Sequence, residues 1–577
     1  MVPSTNVYSS QILWIAIRRV SVYLSLGLLL HACARPVTPT GGPKDETPPK
    51  LLKTYPHQEE TDFKGKTIKL VFDKEIDVRD IYNKLVVTPR LKKLEGKPSY
   101  TYKVRGNTLI LTLEAPLDQE ATYTFNLNDA VRDITEGNVA EAPTLTFSTG
   151  EQIDTMYVTG QVKDHMTHEL VDKVTVALYK AENDTIDCLE NPPDYFIKTD
   201  EKGKFKLAHI QKGNYYLCAS THKEAGQVMI DPGVDTYGFL REPIDLTTAP
   251  LEGVTLSILK ADIREFKLQS KQPQDQYFEL SFNKPVESYT LGLVRKTKRF
   301  KEDPILYSHL VEDKQVIKVY NTFGLLEEDS LEVQVTAQDV LGTVIEETFD
   351  LRFREGNIKK YRPSYEFEPT SGTAIKPEFM GTMTLNKPVK EVLADRLYFV
   401  FNGQKTVSLS AQDLQFNEQR DVVTIKKQLN PQWLKPSKNN SKEDKENEGL
   451  VLHIEEEAFV TIEKDTNKAM RYVYTFQNPE AYGTIKGTVT TQAPGFIVQL
   501  LDTDYKVVDE IKNKRHYQFK EVVPGNYKLR VLALQKADAA WSFGNIKERI
   551  EPDPVLFHTE EVAVVANWEI TGIDFSF

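Results

Sequence analysis

From Leu51 onward, short runs of alternating apolar and polar residues recur, separated by clusters of Gly, Pro, Asn and Asp. In IKLVFDKEID, Ile68 to Asp77, the residues Ile68, Leu70 and Phe72 fall on one face of an extended segment. A period of two marks a strand buried on one side. The same beginning returns as FELSFNKPVE (Phe278–Glu287) and as GTMTLNKPVK (Gly381–Lys390). A shared ending follows each: TLTFSTG (Thr144–Gly150), FDLRFREG (Phe349–Gly356) and YVYTFQN (Tyr472–Asn478). Phe147 lies 75 positions after Phe72, and Phe353 lies 71 after Phe282, which is room for a small sandwich. The third copy is longer, and the excess matches KPSKNNSKEDKENEG, Lys435 to Gly449. That segment is polar, charged and aperiodic, as expected of a disordered insert.

A second pattern occurs twice. VTGQVKD (Val158–Asp164) leads through VTVALYK to TDEKGKFKLAHIQKGNYYLCAS (Thr199–Ser220). IKGTV (Ile485–Val489) leads through FIVQLLD to YQFKEVVPGNYKLRVLA (Tyr517–Ala533). Phe205, Leu207, Ile210, Gly213, Asn214, Tyr215 and Leu217 share their spacing with Tyr517, Phe519, Val522, Gly525, Asn526, Tyr527 and Leu529. Alternation places the aromatic and aliphatic members on one face, and the Gly-Asn turn starts the next strand. Internal repeats of this kind define units of architecture. The pattern predicts an all-β chain of tandem sandwiches.

The first copy of the first pattern resembles the bacterial Ig-like domain named after the S-layer protein SbsA. Its TPP opening, LVFDKEI strand, ATYTFNLNDAVRDITEGN segment and TFSTG exit carry the likeness. The second pattern resembles the transthyretin-like, carboxypeptidase-regulatory-like β-sandwich, a module that accompanies peptidase domains without cleaving. The tail PDPVLFHTEEVAVVANWEI, ending near Trp568, resembles closing strands of this module in Bacteroidota lipoproteins. A D-x-N-x-N-G-x-W loop often precedes it there. Here QKADAAWSFGN keeps Trp541 and lacks most of the acidic and amide groups.

The amino terminus differs from everything downstream. Arg18 and Arg19 precede the apolar run VSVYLSLGLLL, the order found in secretory signals. The run is short of the about 20 residues that span a bilayer as a helix. It stops at Leu30-His31-Ala32-Cys33, which resembles a bacterial lipobox. The resemblance implies cleavage before Cys33, lipidation of Cys33 and, with more than one acyl chain, stable anchoring. ARPVTPTGGPKDETPP then forms a spacer whose Pro and Gly residues keep it out of helices and ladders. No acidic residue lies directly after Cys33, so neither the inner-membrane retention signal nor the surface-export signal of Bacteroidota is matched. The expected location is the periplasmic leaflet of the outer membrane.

The predicted organisation is therefore a signal peptide over 1–32, a tether over 33–47 and an SbsA-type Ig-like domain over 48–150. A transthyretin-like domain over 151–260 follows, then Ig-like repeats over 261–357 and 358–480, the latter carrying the insert 435–449, and a transthyretin-like domain over 481–577. A chain of 577 residues is long enough for several cores. Its net charge of −12 argues against nucleic acid as a partner.

Candidate chemistry is sparse. His57 and Glu60 have H-x-x-E spacing in a polar turn, and His165 and His168 lie close together in another. Neither brings the three or four ligands of a zinc site. Asp129, Asp133, Glu136 and Asn138 share one loop of the first Ig-like copy. Oxygen ligands at that spacing could hold calcium, and Asp and Asn before Gly equally form turns. Cys188 and Cys218 share one domain, so a disulfide is one reading in an oxidising compartment. Alternation turns Cys218 away from the Tyr215/Leu217 face, which favours two separate thiols. Thr155, Thr185 and Ser330, each after an aspartate and before a hydrophobic residue, resemble the O-glycosylation signal of periplasmic Bacteroidota proteins. The expected function is a non-enzymatic, lipid-anchored scaffold that binds envelope proteins and uses no cofactor, with a role in an outer-membrane assembly or transport complex as one version. The alternatives are a surface-exposed adhesin or glycan binder, and a hydrolase with an unrecognised site.

Overall fold

The computed structural model describes residues 44–577, except 142, 182–187, 223–228, 275–276, 296–303, 312, 323, 355–362, 404, 435–448 and 538. Strands dominate throughout, and the described helices are single turns such as Ile81–Lys84. Each of five sandwiches closes over its own apolar core. The all-β tandem array expected from alternation is the fold observed.

Alternation sets which side chains enter each core. In Thr67–Phe72 the residues Ile68, Leu70 and Phe72 are buried, and in Leu331–Asp339 every second residue is. The first sandwich packs the sheet Leu51–Tyr55, Thr67–Phe72, Thr108–Leu113, Tyr100–Arg105 on the sheet Val86–Thr88, Thr122–Asn126, Thr144–Ser148. The third repeats this plan. Leu268–Pro273, Tyr277–Phe282, Val316–Tyr320 and Ser308–Val311 face Val286–Arg295, Leu331–Asp339 and Val344–Leu351. In the fourth, Tyr365–Glu368, Glu378–Leu385, Val422–Gln428 and Leu414–Phe416 form the equivalent first sheet. In all three, the repeated motif strand pairs with the strand that opens the sandwich.

The second and fifth sandwiches share a different strand order. Met156–Asp164 pairs antiparallel with Lys204–Ile210 and parallel with Leu251–Ile258. Gly483–Thr490 pairs antiparallel with His516–Val522 and parallel with Glu569–Ile570 and Phe575–Ser576. The glycine of VTGQV and IKGTV belongs to this parallel contact. A Cβ on Gly160 would stand 2.2 Å from the Val254 carbonyl oxygen, and one on Gly487 1.8 Å from that of Ile573, far inside contact distance. The aligned tyrosines also behave alike. Tyr215 Oη donates to the Gln211 carbonyl and Tyr527 Oη to the Val523 carbonyl, both at 2.8 Å, which pins the turn into the following strand.

Candidate functional site

Some of the polar groups that the sequence singles out lie at junctions between sandwiches, and others stay within one. The first junction device comes from the repeated motif itself. Asp73, Asn283 and Asn386 occupy the position after the motif strand. Their side-chain Oδ1 atoms accept the backbone N–H of Lys50, Lys267 and Ser364 at 2.7, 2.8 and 2.9 Å. Their own N–H groups donate back to the carbonyls of those residues at 3.0, 3.1 and 3.3 Å. Each pair fixes the first strand of its sandwich to the motif.

The next residue is lysine in every copy. Lys74 Nζ donates to Asp45 Oδ2 and the Thr47 carbonyl, both at 2.6 Å, and to Thr47 Oγ1 at 2.7 Å. Lys284 Nζ donates to the Arg264 carbonyl at 2.7 Å, the Asp262 carbonyl at 3.1 Å and Asp339 Oδ2 at 2.5 Å. Lys387 Nζ pairs with Asp465 at 2.7 Å and with Glu463. Lys74 and Lys284 thus grip the chain that enters their sandwich. Lys284 and Asp339 each keep only 3 % of their side-chain exposure, so this ion pair is buried. The Lys74 ammonium holds the Asp45 carboxyl well below the usual range. The sequence shows this motif as a repeat but not what it does, because most of its partners are carbonyls or residues far along the chain.

The four calcium candidates do not converge on a point. Asp133 is buried, and its Oδ1 accepts the N–H groups of Thr135, Glu136 and Gly137 at 3.1, 2.6 and 3.0 Å. Its Oδ2 accepts that of Asn138 at 3.2 Å. The Glu136 N–H leads the donors that lower the Asp133 pKa. Gly137, at φ +77°, supplies the left-handed bend this turn needs. Asp129 pairs with Lys84 at 2.7 Å, and that bond lowers its pKa. Asn138 donates through Nδ2 to the Asp45 carbonyl at 2.6 Å, and the Glu136 side chain is exposed. The loop is a carboxylate-centred turn. Among the described residues, no group of three or more His, Cys, Asp or Glu could hold a metal ion.

The two-histidine turn belongs to a contact between the second and fifth sandwiches. Asp164 Oδ1 accepts the N–H groups of Met166 and Thr167, each at 2.8 Å, and so shapes the turn. His165 Nε2 then lies 2.9 Å from the Asp553 carbonyl oxygen, with its ring 5.8 Å from that of Trp541. His168 packs 5.0 Å from the Phe557 ring. Arg530 Nη1 donates to the Met166 carbonyl at 2.6 Å, and Arg549 Nη1 to Tyr216 Oη at 2.6 Å. Ile546, 1 % exposed, enters an apolar cluster with Tyr179, Tyr216, Tyr237 and Phe239 on the outer face of the second sandwich. Burial lowers the pKa of both His165 and His168. The segment around Trp541 that lacks calcium-type ligands is therefore the plug of this interface. His309 and Asp421 make a comparable contact at 2.7 Å between the third and fourth sandwiches.

Cys188 and Cys218 are both buried in that same outer cluster and are not joined in this structure. Cys218 does face away from the Tyr215/Leu217 core, but the face it points to is covered as well. The Cys188 segment borders a cleft of about 390 Å³. His222 lines it and is held by Asp235 at 3.1 Å, and among the described residues no serine, threonine or cysteine lines it. His57 and Glu60 form a turn in which Glu60 Oε2 accepts the His57 N–H at 2.7 Å. Thr155 is exposed between the first two sandwiches, and Ser330 is half-buried before its strand. Cys33 and Thr185 lie outside the described residues.

No curated protein matches the chain. Among solved structures it is similar to the N-terminal part of the S-layer protein SbsC, at 16% identity over 30% of this chain and 40% of that one, with a TM-score of 0.13. It is similar to BcpA, the major pilin subunit of Bacillus cereus, at 11% identity over 73% of this chain and 99% of that one, TM-score 0.13. It is similar also to dimeric latent PorU from Porphyromonas gingivalis, at 9% identity over 56% of this chain and 35% of that one, TM-score 0.22. The chain thus covers less than half of the SbsC fragment and of PorU. The family model described as "Bacterial Ig-like domain" matches residues 45–149, the stretch that folds as the first sandwich.

Proposed function

We propose that the protein is a non-enzymatic scaffold of the cell envelope, anchored through lipid on Cys33 to the periplasmic face of the outer membrane. On this reading the apolar segment before Cys33 is a signal removed on export, and the Pro- and Gly-rich stretch after it sets the first sandwich off the membrane. The second and fifth sandwiches are taken as transthyretin-like modules of the kind found in Bacteroidota lipoproteins. Partners are other envelope proteins, docked on sandwich edges and end loops, and one version is an accessory subunit of an outer-membrane assembly or transport complex. The observation that carries the scaffold reading is the contact between the second and fifth sandwiches, built from Ile546, Arg530, Arg549 and His165. It ties units distant in sequence into one body, as a spacer or docking frame requires. A bacterial Ig-like unit at residues 45–149 agrees with a structural role.

The test is fatty-acid labelling in cells together with protease treatment of intact cells. Incorporation of an alkyne-tagged fatty acid that is lost in Cys33→Ala, with the protein protected from external protease, is the expected result. Labelling that persists in Cys33→Ala would overturn the anchor. Shaving of the protein from intact cells would move it to the surface and favour an adhesin.

A further inference from the structure

Cys188 and Cys218 are two buried nucleophilic groups to which the scaffold reading gives no role. Their exposures are 0% and 1%, both belong to one buried cluster, and the neighbouring Cys188 thiol raises the pKa of Cys218. Cys218 lies on the strand Asn214–Ser220, opposite Ala177 on one side and Phe239 on the other. The Cys188 carbonyl accepts the Ile230 N–H at 2.9 Å, and both residues belong to the cluster that contains Cys218. Tyr216, Tyr237 and Ile546 of the same cluster bury the pair. A lone buried cysteine behaves as a small apolar residue. Two buried thiols in one cluster, with 29 residues between them in sequence, are placed to be joined.

We propose that Cys188 and Cys218 close to a disulfide while the second sandwich folds, stapling the Cys188 segment to the outer face on which the fifth sandwich docks. The timing follows from chemistry. The thiolate is the reacting species, and the neighbouring Cys188 thiol, with burial, pushes the Cys218 thiol up. Once the cluster has formed, no thiolate meets solvent. The bond therefore forms before the cover closes, by exchange with an oxidised dithiol carrier. One cysteine thiolate attacks the carrier disulfide, giving a mixed disulfide and releasing one carrier thiolate. The second cysteine thiolate attacks the mixed disulfide, forming the Sγ–Sγ bond and releasing the other. The chain loses two electrons and two protons, and the carrier gains both as two thiols. This step rests on the envelope reading above, since such carriers persist only in an oxidising compartment.

The test uses the full chain carrying Cys33→Ser, so that only these two thiols remain. Reduced, denatured protein is refolded in a mixture of reduced and oxidised glutathione. It is then acid-quenched, denatured and treated with a maleimide polymer. No gel shift before reduction, a two-thiol shift after reduction, and a mass lower by two hydrogen atoms are expected. Cys188→Ser and Cys218→Ser should each leave one reactive thiol in the same assay. Full labelling of both cysteines after refolding would overturn the proposal, and no variant needs to fold for that outcome to be read. The same labelling on protein taken directly from quenched cells separates the two claims. A bond formed on refolding but absent in cells would overturn the envelope location and leave the pairing standing.

Discussion

Replacing Lys284 by Met should destabilise the third sandwich far more than the same change at Lys74 destabilises the first. Lys284 and Asp339 are almost fully buried, and the ammonium also satisfies the carbonyls of Asp262 and Arg264. Methionine fills a similar volume but strands the Asp339 carboxylate in an apolar interior. Breaking a buried pair by removing one partner costs about 3–5 kcal/mol. At Lys74 the ammonium keeps 24% of its exposure and Asp45 keeps 55%, so solvent takes over much of the interaction and the loss is far smaller. Because a multidomain chain does not unfold in two states, amide hydrogen exchange resolved by peptide is the appropriate assay. Peptides from Leu331–Asp339 in K284M should exchange roughly 10²- to 10⁴-fold faster, given a tenfold change per about 1.4 kcal/mol. Peptides from Thr67–Phe72 in K74M should change by less than about tenfold. The double variant K284M/D339N removes the stranded charge while keeping an acceptor for the Thr343 N–H, bonded at 2.8 Å. It should recover most of the protection. If K284M changes exchange no more than K74M does, or if the double variant is worse than K284M, the junction account is wrong.

Three further outcomes follow from the same contacts. Ile546→Ala should cost about 2–5 kcal/mol as a buried large-to-small change. It should raise exchange in Tyr237–Phe239 as well as around position 546, because the side chain sits in the outer cluster of the second sandwich; a change confined to the fifth sandwich would contradict the interface. Burial holds His165 and His168 below their ordinary pKa, so the unfolded chain binds more protons than the folded one. Their contribution to stability is therefore full above about pH 6.5 and lost as pH falls through the folded values. The melting temperature of the wild type should drop more between pH 7 and 5 than that of a His165→Gln/His168→Gln variant, and equal drops would refute the assignment. Asp133→Ala removes the acceptor of four backbone N–H groups. It should destabilise the first sandwich by about 1–3 kcal/mol in calcium-free buffer, with added calcium making no difference by calorimetry.

Much of the fold can be read from alternation, because a strand buried on one face cannot shift register without exposing its core residues. Leu331–Asp339 and Thr67–Phe72 show this directly. The aligned tyrosines 215 and 527 were equally legible, since their turn is local. The interfaces were not. His165 meets a carbonyl 388 positions away, and a carbonyl carries no residue identity. Cys218 points outward from its own sandwich, as alternation requires, yet is buried because a distant segment covers that face. Lys284 was visible only as part of a repeat, its acidic partner lying 55 positions downstream. The loop from Asp129 to Asn138 shows the converse. Its spacing fits either calcium or a turn, and the choice depends on where four backbone N–H groups point.

The central claim is that the second and fifth sandwiches are held together rather than strung out. Electron–electron dipolar spectroscopy between spin labels at two exposed positions, Lys173→Cys and Glu560→Cys, tests it most directly, in full-length protein with Cys33→Ser. A single narrow distance distribution that broadens in Ile546→Ala is the predicted result. A broad distribution in the otherwise unaltered chain, unchanged by Ile546→Ala, would contradict the account.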